Sequence, residues 1–141
     1  MNKTRLLIIE DDQAHSLPLS ELLEYRGYEV KCARDWDEAS EALQSFKPAI
    51  VIVDLLLAYG SVSSGFNVIK KLRASEYSRV GIIAWTGMYK DGRDEILALR
   101  SGADDFIKKG TETGVIEERV AALARRVKRR RLAVDTSNLL C

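Results

Sequence analysis

Asp54 ends the apolar run Ala49-Ile50-Val51-Ile52-Val53, and Glu10 and Asp11 end the run Leu6-Leu7-Ile8-Ile9 in the same way. Runs rich in β-branched residues favour strands, so the three carboxylates should sit at the carboxyl edge of two strands. In an open α/β sheet that edge is where ligands bind. Three acidic groups packed side by side repel one another unless protons or a cation intervene. A set of hard oxygen donors suits Mg²⁺, which commonly accompanies phosphate. The spacing therefore points to a Mg²⁺ site that handles phosphoryl groups. Asp12 continues the acidic run but fits the N-cap of a following helix.

Two further residues fall at equivalent places. Thr86 ends the run Gly81-Ile82-Ile83-Ala84-Trp85 and is followed by Gly87. Its hydroxyl can donate to a phosphoryl oxygen, and the small Gly87 lets backbone N–H groups approach the same oxygen. Lys109 closes Phe106-Ile107-Lys108. An ammonium at the same rim would pair with the acids and neutralise an incoming phosphoryl group as a point charge. Lys108 and Lys109 alternate faces, and the strand end favours Lys109 as the inward one.

Strands and helices must bring these residues together. Short apolar runs alternate with longer amphipathic stretches, the pattern of βα repeats around a parallel sheet. The predicted strands β1 to β5 cover 5–10, 28–33, 49–54, 80–86 and 105–108. The predicted helices α1 to α5 cover 13–26, 36–46, 65–75, 91–101 and 114–131. Gly27 and Gly102 fall just past two helix ends, where a left-handed residue is commonest. Asp35 with Glu38 comes close to a capping box. Pro18 should kink the first helix or delay its start. The Gly- and Ser-rich stretch 58–65 follows Asp54 and should overhang the acidic rim.

The chain has 141 residues, enough for one domain and its core. Its 46% hydrophobic and 30% charged residues match an ordinary globular protein. Apolar runs of five or six residues are far short of a membrane span. No signal-peptide pattern precedes the first strand, so the expected location is cytoplasmic and no membrane partner is expected. Cys32 and Cys141 suggest neither a disulfide framework nor a metal cluster. The net charge of +1 hides an asymmetry, because residues 115–141 sum to +4 and residues 1–114 to −3. An acidic body with a basic end suggests a functional face at each.

Leu7-Ile8-Ile9-Glu10-Asp11, Val51-Ile52-Val53-Asp54, Trp85-Thr86-Gly87 and Gly102-Ala103-Asp104-Asp105-Phe106-Ile107-Lys108-Lys109 together resemble, in order and spacing, the motifs of bacterial two-component response-regulator receiver domains. The resemblance covers roughly residues 4–128. It implies the flavodoxin-like (βα)5 three-layer sandwich with a parallel sheet of order 2-1-3-4-5. On that basis residues 4–131 form the receiver, and 132–141 a flexible tail or truncated linker.

Carried over position by position, Asp54 looks like the aspartate that accepts a phosphoryl group from a histidine kinase or phosphotransfer protein. Glu10, Asp11 and Asp54, with the backbone carbonyl of Leu56, would hold Mg²⁺. Thr86 and Lys109 would contact phosphoryl oxygens. Thr86 and Phe106 would form the switch that reshapes the α4–β5–α5 face, through which a second copy could bind. Catalysis would be limited to the chain's own phosphorylation and dephosphorylation, by positioning and charge neutralisation. Leu56 and Met88 occupy positions that influence how readily water reaches the acyl phosphate; both are apolar, which implies slow self-dephosphorylation.

Three places depart from the family pattern. Gly110 follows the lysine where Pro is usual, Ala58 stands where another Pro is usual, and Gly65 arrives about three residues late. A phosphorylation-independent pseudo-receiver that works by protein contact is the alternative these departures support. A flavodoxin-type cofactor protein would need a phosphate loop after the first strand, and Asp12-Gln13-Ala14-His15 is not one. An aspartyl-phosphate hydrolase would need a second Asp where Leu56 stands. Trp85 is expected in the core or an interface. His15, the single histidine, has no partner histidine or cysteine pattern, so neither a metal nor a relay role is expected of it. The cations Arg125-Arg126-Val127-Lys128-Arg129-Arg130-Arg131 suit either a solvated helix end or contact with an acidic partner, a nucleic acid or an output domain.

Overall fold

The computed structural model describes residues 2–57, 64–87 and 92–140, with side chains as far as Val134. Its elements run β1 (Arg5–Ile9), α1 (Gln13–Tyr25), β2 (Glu29–Ala33), α2 (Trp36–Ser45), β3 (Ile50–Asp54), α3 (Gly65–Ala74), β4 (Gly81–Thr86), α4 (Gly92–Ser101), β5 (Asp105–Lys108) and α5 (Thr113–Leu140). The strands form one parallel sheet in the order β2-β1-β3-β4-β5. Every predicted strand agrees with the observed one to within a residue at each end.

The continuous apolar character of β1, β3 and β4 reflects burial on both faces of the sheet. Alternate residues serve opposite layers. Leu7, Ile9, Val51, Val53, Ile82 and Ala84 pack with Leu43 of α2, Ile69 and Leu72 of α3 and Ala98 of α4. Leu6, Ile8, Ile50, Ile52, Ile83 and Trp85 pack with Leu19 and Leu23 of α1 and with Ile116, Val120, Leu123 and Val127 of α5. The 3–4 spacing of those α5 residues is one helical stripe. β2, at the sheet edge, is buried only at Ala33.

Local signals set most of the boundaries. Asp12 caps α1 by accepting from the Ala14 N–H at 2.9 Å. Asp35 caps α2 by accepting from Glu38 N–H, while the Glu38 carboxylate reaches back to Arg34 N–H. Gly27 and Gly102 take φ of +99° and +121°, as helix-ending glycines do. The corner between β4, α4 and β5 is held by Arg73, whose guanidinium donates to the carbonyls of Ser78, Val80 and Gly102 and to Asp104. Burial pushes the Asp104 carboxyl up, but the Ile82 N–H, Arg130 and Arg73 together outweigh it and hold it below the usual carboxylate range.

α1 begins at Gln13 and contains Pro18, so of the two outcomes expected of that proline the late start does not occur. One expectation needs correction. The stretch from 132 is not a loose tail: α5 continues to Leu140. After Gly114 the chain holds neither glycine nor proline, so nothing in the sequence terminates the helix. Stretch 58–63 and Met88 lie outside the described residues. No helix among the described residues is long and apolar enough to cross a membrane.

Candidate functional site

The parallel register brings the ends of β1, β3, β4 and β5 level. Ile9 pairs with Val53, Asp54 with Trp85, and Thr86 with Lys108. The residue after each of β1 and β5, and the last of β3 and β4, therefore project from one rim. Glu10, Asp11 and Asp54 each offer a carboxylate oxygen within 4.8 Å of the other two. With all three ionised and Lys109 charged, the group carries a formal −2, which a divalent cation would neutralise. Hard carboxylate oxygens this close fit Mg²⁺ better than a soft metal.

Lys109 closes the site. Its Nζ lies 2.7 Å from Glu10 Oε2 and 3.3 Å from Asp54 Oδ2. Lys108 is the exposed member of the pair, as the alternation predicts. Asp54 Oδ1 accepts the Leu56 N–H at 3.0 Å, which fixes the rotation of the carboxylate. Glu10 is 2% exposed, and burial pushes its carboxyl up to about 7, against the lowering pull of Lys109 and with a further push from Asp54. An open cleft of about 570 Å³ is lined by Glu10, Asp11, Asp12, His15, Asp54, Leu56, Gly87 and Lys109.

Thr86 is buried behind this cleft at 1% exposure rather than lining it. Phe106, on the neighbouring strand, is buried on the same face of the sheet as Ala84. Gly65 opens α3 against the loop below Asp54. A Cβ there would run into the Asp54 carbonyl oxygen and lie 2.6 Å from the Leu55 Cα. The late glycine of the sequence thus fills a contact that admits no side chain. Gly110 has φ +92°, a conformation closed to the proline usual in the family.

His15 is the residue that sequence reasoning missed. It stands one turn into α1, with Nδ1 3.1 Å from Lys109 Nζ and 3.6 Å from Asp12 Oδ2. Its ring meets Trp85 edge-on at 6.4 Å, and Lys109 Nζ lies 4.8 Å from the Trp85 ring centroid. The available signal was its place on the turn after Asp11. Which way that turn faced depended on how α1 packs on the sheet.

The sequence profile described as the response regulator receiver domain matches residues 6–121. Similar proteins include the DNA-binding dual master transcriptional regulator RpaA of Synechocystis, 33% identical over 137 residues, covering 96% of this chain and 55% of that protein. The transcriptional regulatory protein AfsQ1 of Streptomyces coelicolor is 31% identical over 124 residues, covering 88% and 52%. The chain spans about half the length of these curated relatives. Among solved structures, a two-component response regulator from Clostridium difficile superposes with a TM-score of 0.78 at 27% identity, covering 88% of this chain and 98% of that one. The signal receiver domain of a response regulator from Bermanella marisrubri gives 0.76 at 26% identity, covering 87% and 99%.

Proposed function

Since the chain belongs to the response regulator receiver domain family, we propose that it accepts a phosphoryl group on Asp54 from a phosphohistidine of a kinase or phosphotransfer protein. The observation that carries this reading is the meeting of Glu10, Asp11, Asp54 and Lys109 in one cleft. An Asp54 carboxylate oxygen attacks phosphorus in line. The P–N bond breaks and its electron pair leaves with the imidazole. The product is an aspartyl phosphate.

Glu10, Asp11 and Asp54, with the Leu56 carbonyl, would hold Mg²⁺, which supplies charge neutralisation to the transferring phosphoryl oxygens. Lys109, within reach of Glu10 and Asp54, would contribute a second positive charge. Its hydrogen bonds to Glu10 and Asp54 keep it poised before the phosphoryl group arrives. Catalysis is confined to this chain's own phosphorylation and dephosphorylation. With the acyl phosphate in place, Thr86 turns toward it and Phe106 follows. The α4–β5–α5 face changes shape, as a two-state element biased by one new charge.

Residues 4–131 act as the receiver and the remainder of α5 as a linker. The relatives named as transcriptional regulators are about twice as long, in keeping with an output module joined through α5. The partners are a kinase or phosphotransfer protein, a second copy through α4–β5–α5, and that output module, in the cytoplasm. No specific observation favours a phosphorylation-independent interaction module. The test is to incubate the protein with Mg²⁺ and radiolabelled acetyl phosphate, then add hydroxylamine, which cleaves acyl phosphates. Label that hydroxylamine releases, and that Asp54→Asn never acquires, is the expected result. Hydroxylamine-resistant label would place the phosphoryl group on a different kind of side chain and overturn the reading.

A further inference from the structure

At the opposite, amino-terminal end of the sheet lies a second cleft, of about 540 Å³. One five-residue strand separates it from the acidic rim, roughly 17 Å by strand rise. Six cations line it: Lys3, Arg5, Lys47, Arg125, Lys128 and Arg131. Glu29 is the single carboxylate among the lining residues. Arg5 is partly engaged, with Nε 3.4 Å from Glu29 and a donor 3.0 Å from the Phe46 carbonyl. None of the other five has an ion pair among the described residues.

The simplest reading of the α5 cations, that they offset the negative pole of a helix end, fails on the helix length. α5 runs on to Leu140 and has no basic residue in its last turn. Arg125, Lys128 and Arg131 are mid-helix, three residues apart, and present one face to the cleft. Arg130 points elsewhere, to Asp104 at 3.0 Å. Across the cleft, Lys47 has φ +52°, a left-handed conformation in which glycine meets less strain than any side-chain-bearing residue. The chain places there a lysine with no ion pair among the described residues. Lys47 and Arg131 also border an adjoining hollow that reaches Arg79.

We infer that this cleft is a binding site for a phosphate-rich anion, a ligand carrying several phosphoryl groups in a row. The cleft volume is that of a small-molecule site, and the excess of five positive charges calls for a compact, multiply charged ligand. A polyphosphate concentrates one or more charges on each phosphorus. An acidic peptide spreads one charge per residue over about 3.3 Å of extended chain and turns alternate side chains away. The guanidinium forks of Arg125 and Arg131 match phosphoryl oxygens in pairs. The phosphoryl row can belong to a free polyphosphate or nucleotide, or to a nucleic-acid backbone.

The test is calorimetric titration of the intact chain with tripolyphosphate, a short oligothymidylate and an oligoglutamate of similar charge, at about 0.15 M salt. Tripolyphosphate or the oligothymidylate should bind at least about tenfold more tightly than oligoglutamate, and the tighter of the two identifies the source. The double variant Lys128→Gln, Arg131→Gln should lose about tenfold or more in affinity. Lys70→Gln, at an exposed lysine outside the cleft, should lose none. Circular dichroism checks that each variant is folded, and Arg125→Gln replaces the double variant if that one is not. Asp54→Asn should bind as the unaltered chain does, which separates this site from the acidic rim. Equal affinity for oligoglutamate, equal loss in Lys70→Gln, or no binding of either phosphate ligand would overturn the inference.

Discussion

Lys109 has three N–H bonds and three neighbours, Glu10, His15 and Asp54, at 2.7, 3.1 and 3.3 Å. An arriving phosphoryl oxygen must displace one of them, and the half-exposed His15 is the neighbour most easily released to solvent. Glu10 sets the pH dependence. Its carboxyl is raised to about 7, chiefly by burial, so below that pH it holds a proton that a cation must expel. Mg²⁺ affinity should therefore rise about tenfold per pH unit up to near pH 7 and flatten above it. Titration calorimetry from pH 5.5 to 8 checks this; affinity flat across that range would contradict it. At the mouth of the cleft, Leu56 is 51% exposed. Leu56→Asn would put a polar side chain where water must approach, and should shorten the aspartyl-phosphate lifetime by about tenfold, or 1.4 kcal/mol of barrier. The acids, Thr86 and Lys109 were legible as strand-end residues. His15 was not, because its role depends on the rotation of α1 about its own axis.

Strand ends are what place the chemistry, and they were the best-marked features of the sequence. Each reactive residue terminates or directly follows an apolar run, so the period that defines the strand also aims its last side chain. Helix ends were less well marked. Gly27, Gly102, Asp12 and Asp35 announced theirs, whereas α5 carries no stop signal and its length was underestimated. Gly65 shows the limit of local reading, since its position was visible but the reason for it was not. Only the packed structure reveals that a Cβ at this position would meet the backbone of Asp54 and Leu55. Gly65→Ala should accordingly destabilise the fold by about 1–3 kcal/mol, as overpacking does. Because the clash is with Asp54 itself, it should also weaken Mg²⁺ binding. Urea unfolding beside a Mg²⁺ titration checks both, and an alanine variant of unchanged stability would contradict the account of α3.

Taken whole, the molecule separates charge between the two ends of one sheet. Its acidic rim lies where the strands finish and its cationic cleft where they begin. Sequence periodicity specified alternating strands and helices around a parallel sheet. It could not specify strand order, because any right-handed succession of βα units satisfies the same pattern. The order 2-1-3-4-5 followed from the family resemblance and is the order observed. That order puts β1 beside β3, and so brings Glu10 and Asp11 to Asp54. The site is thus a product of topology as much as of residue type. The direct test of the central claim is intact-mass spectrometry after incubation with acetyl phosphate, with and without Mg²⁺, beside Asp54→Asn. A gain of one phosphoryl group that requires both Mg²⁺ and Asp54 is the predicted result. A gain that persists in Asp54→Asn, or none at all in the unaltered chain with Mg²⁺, would contradict it.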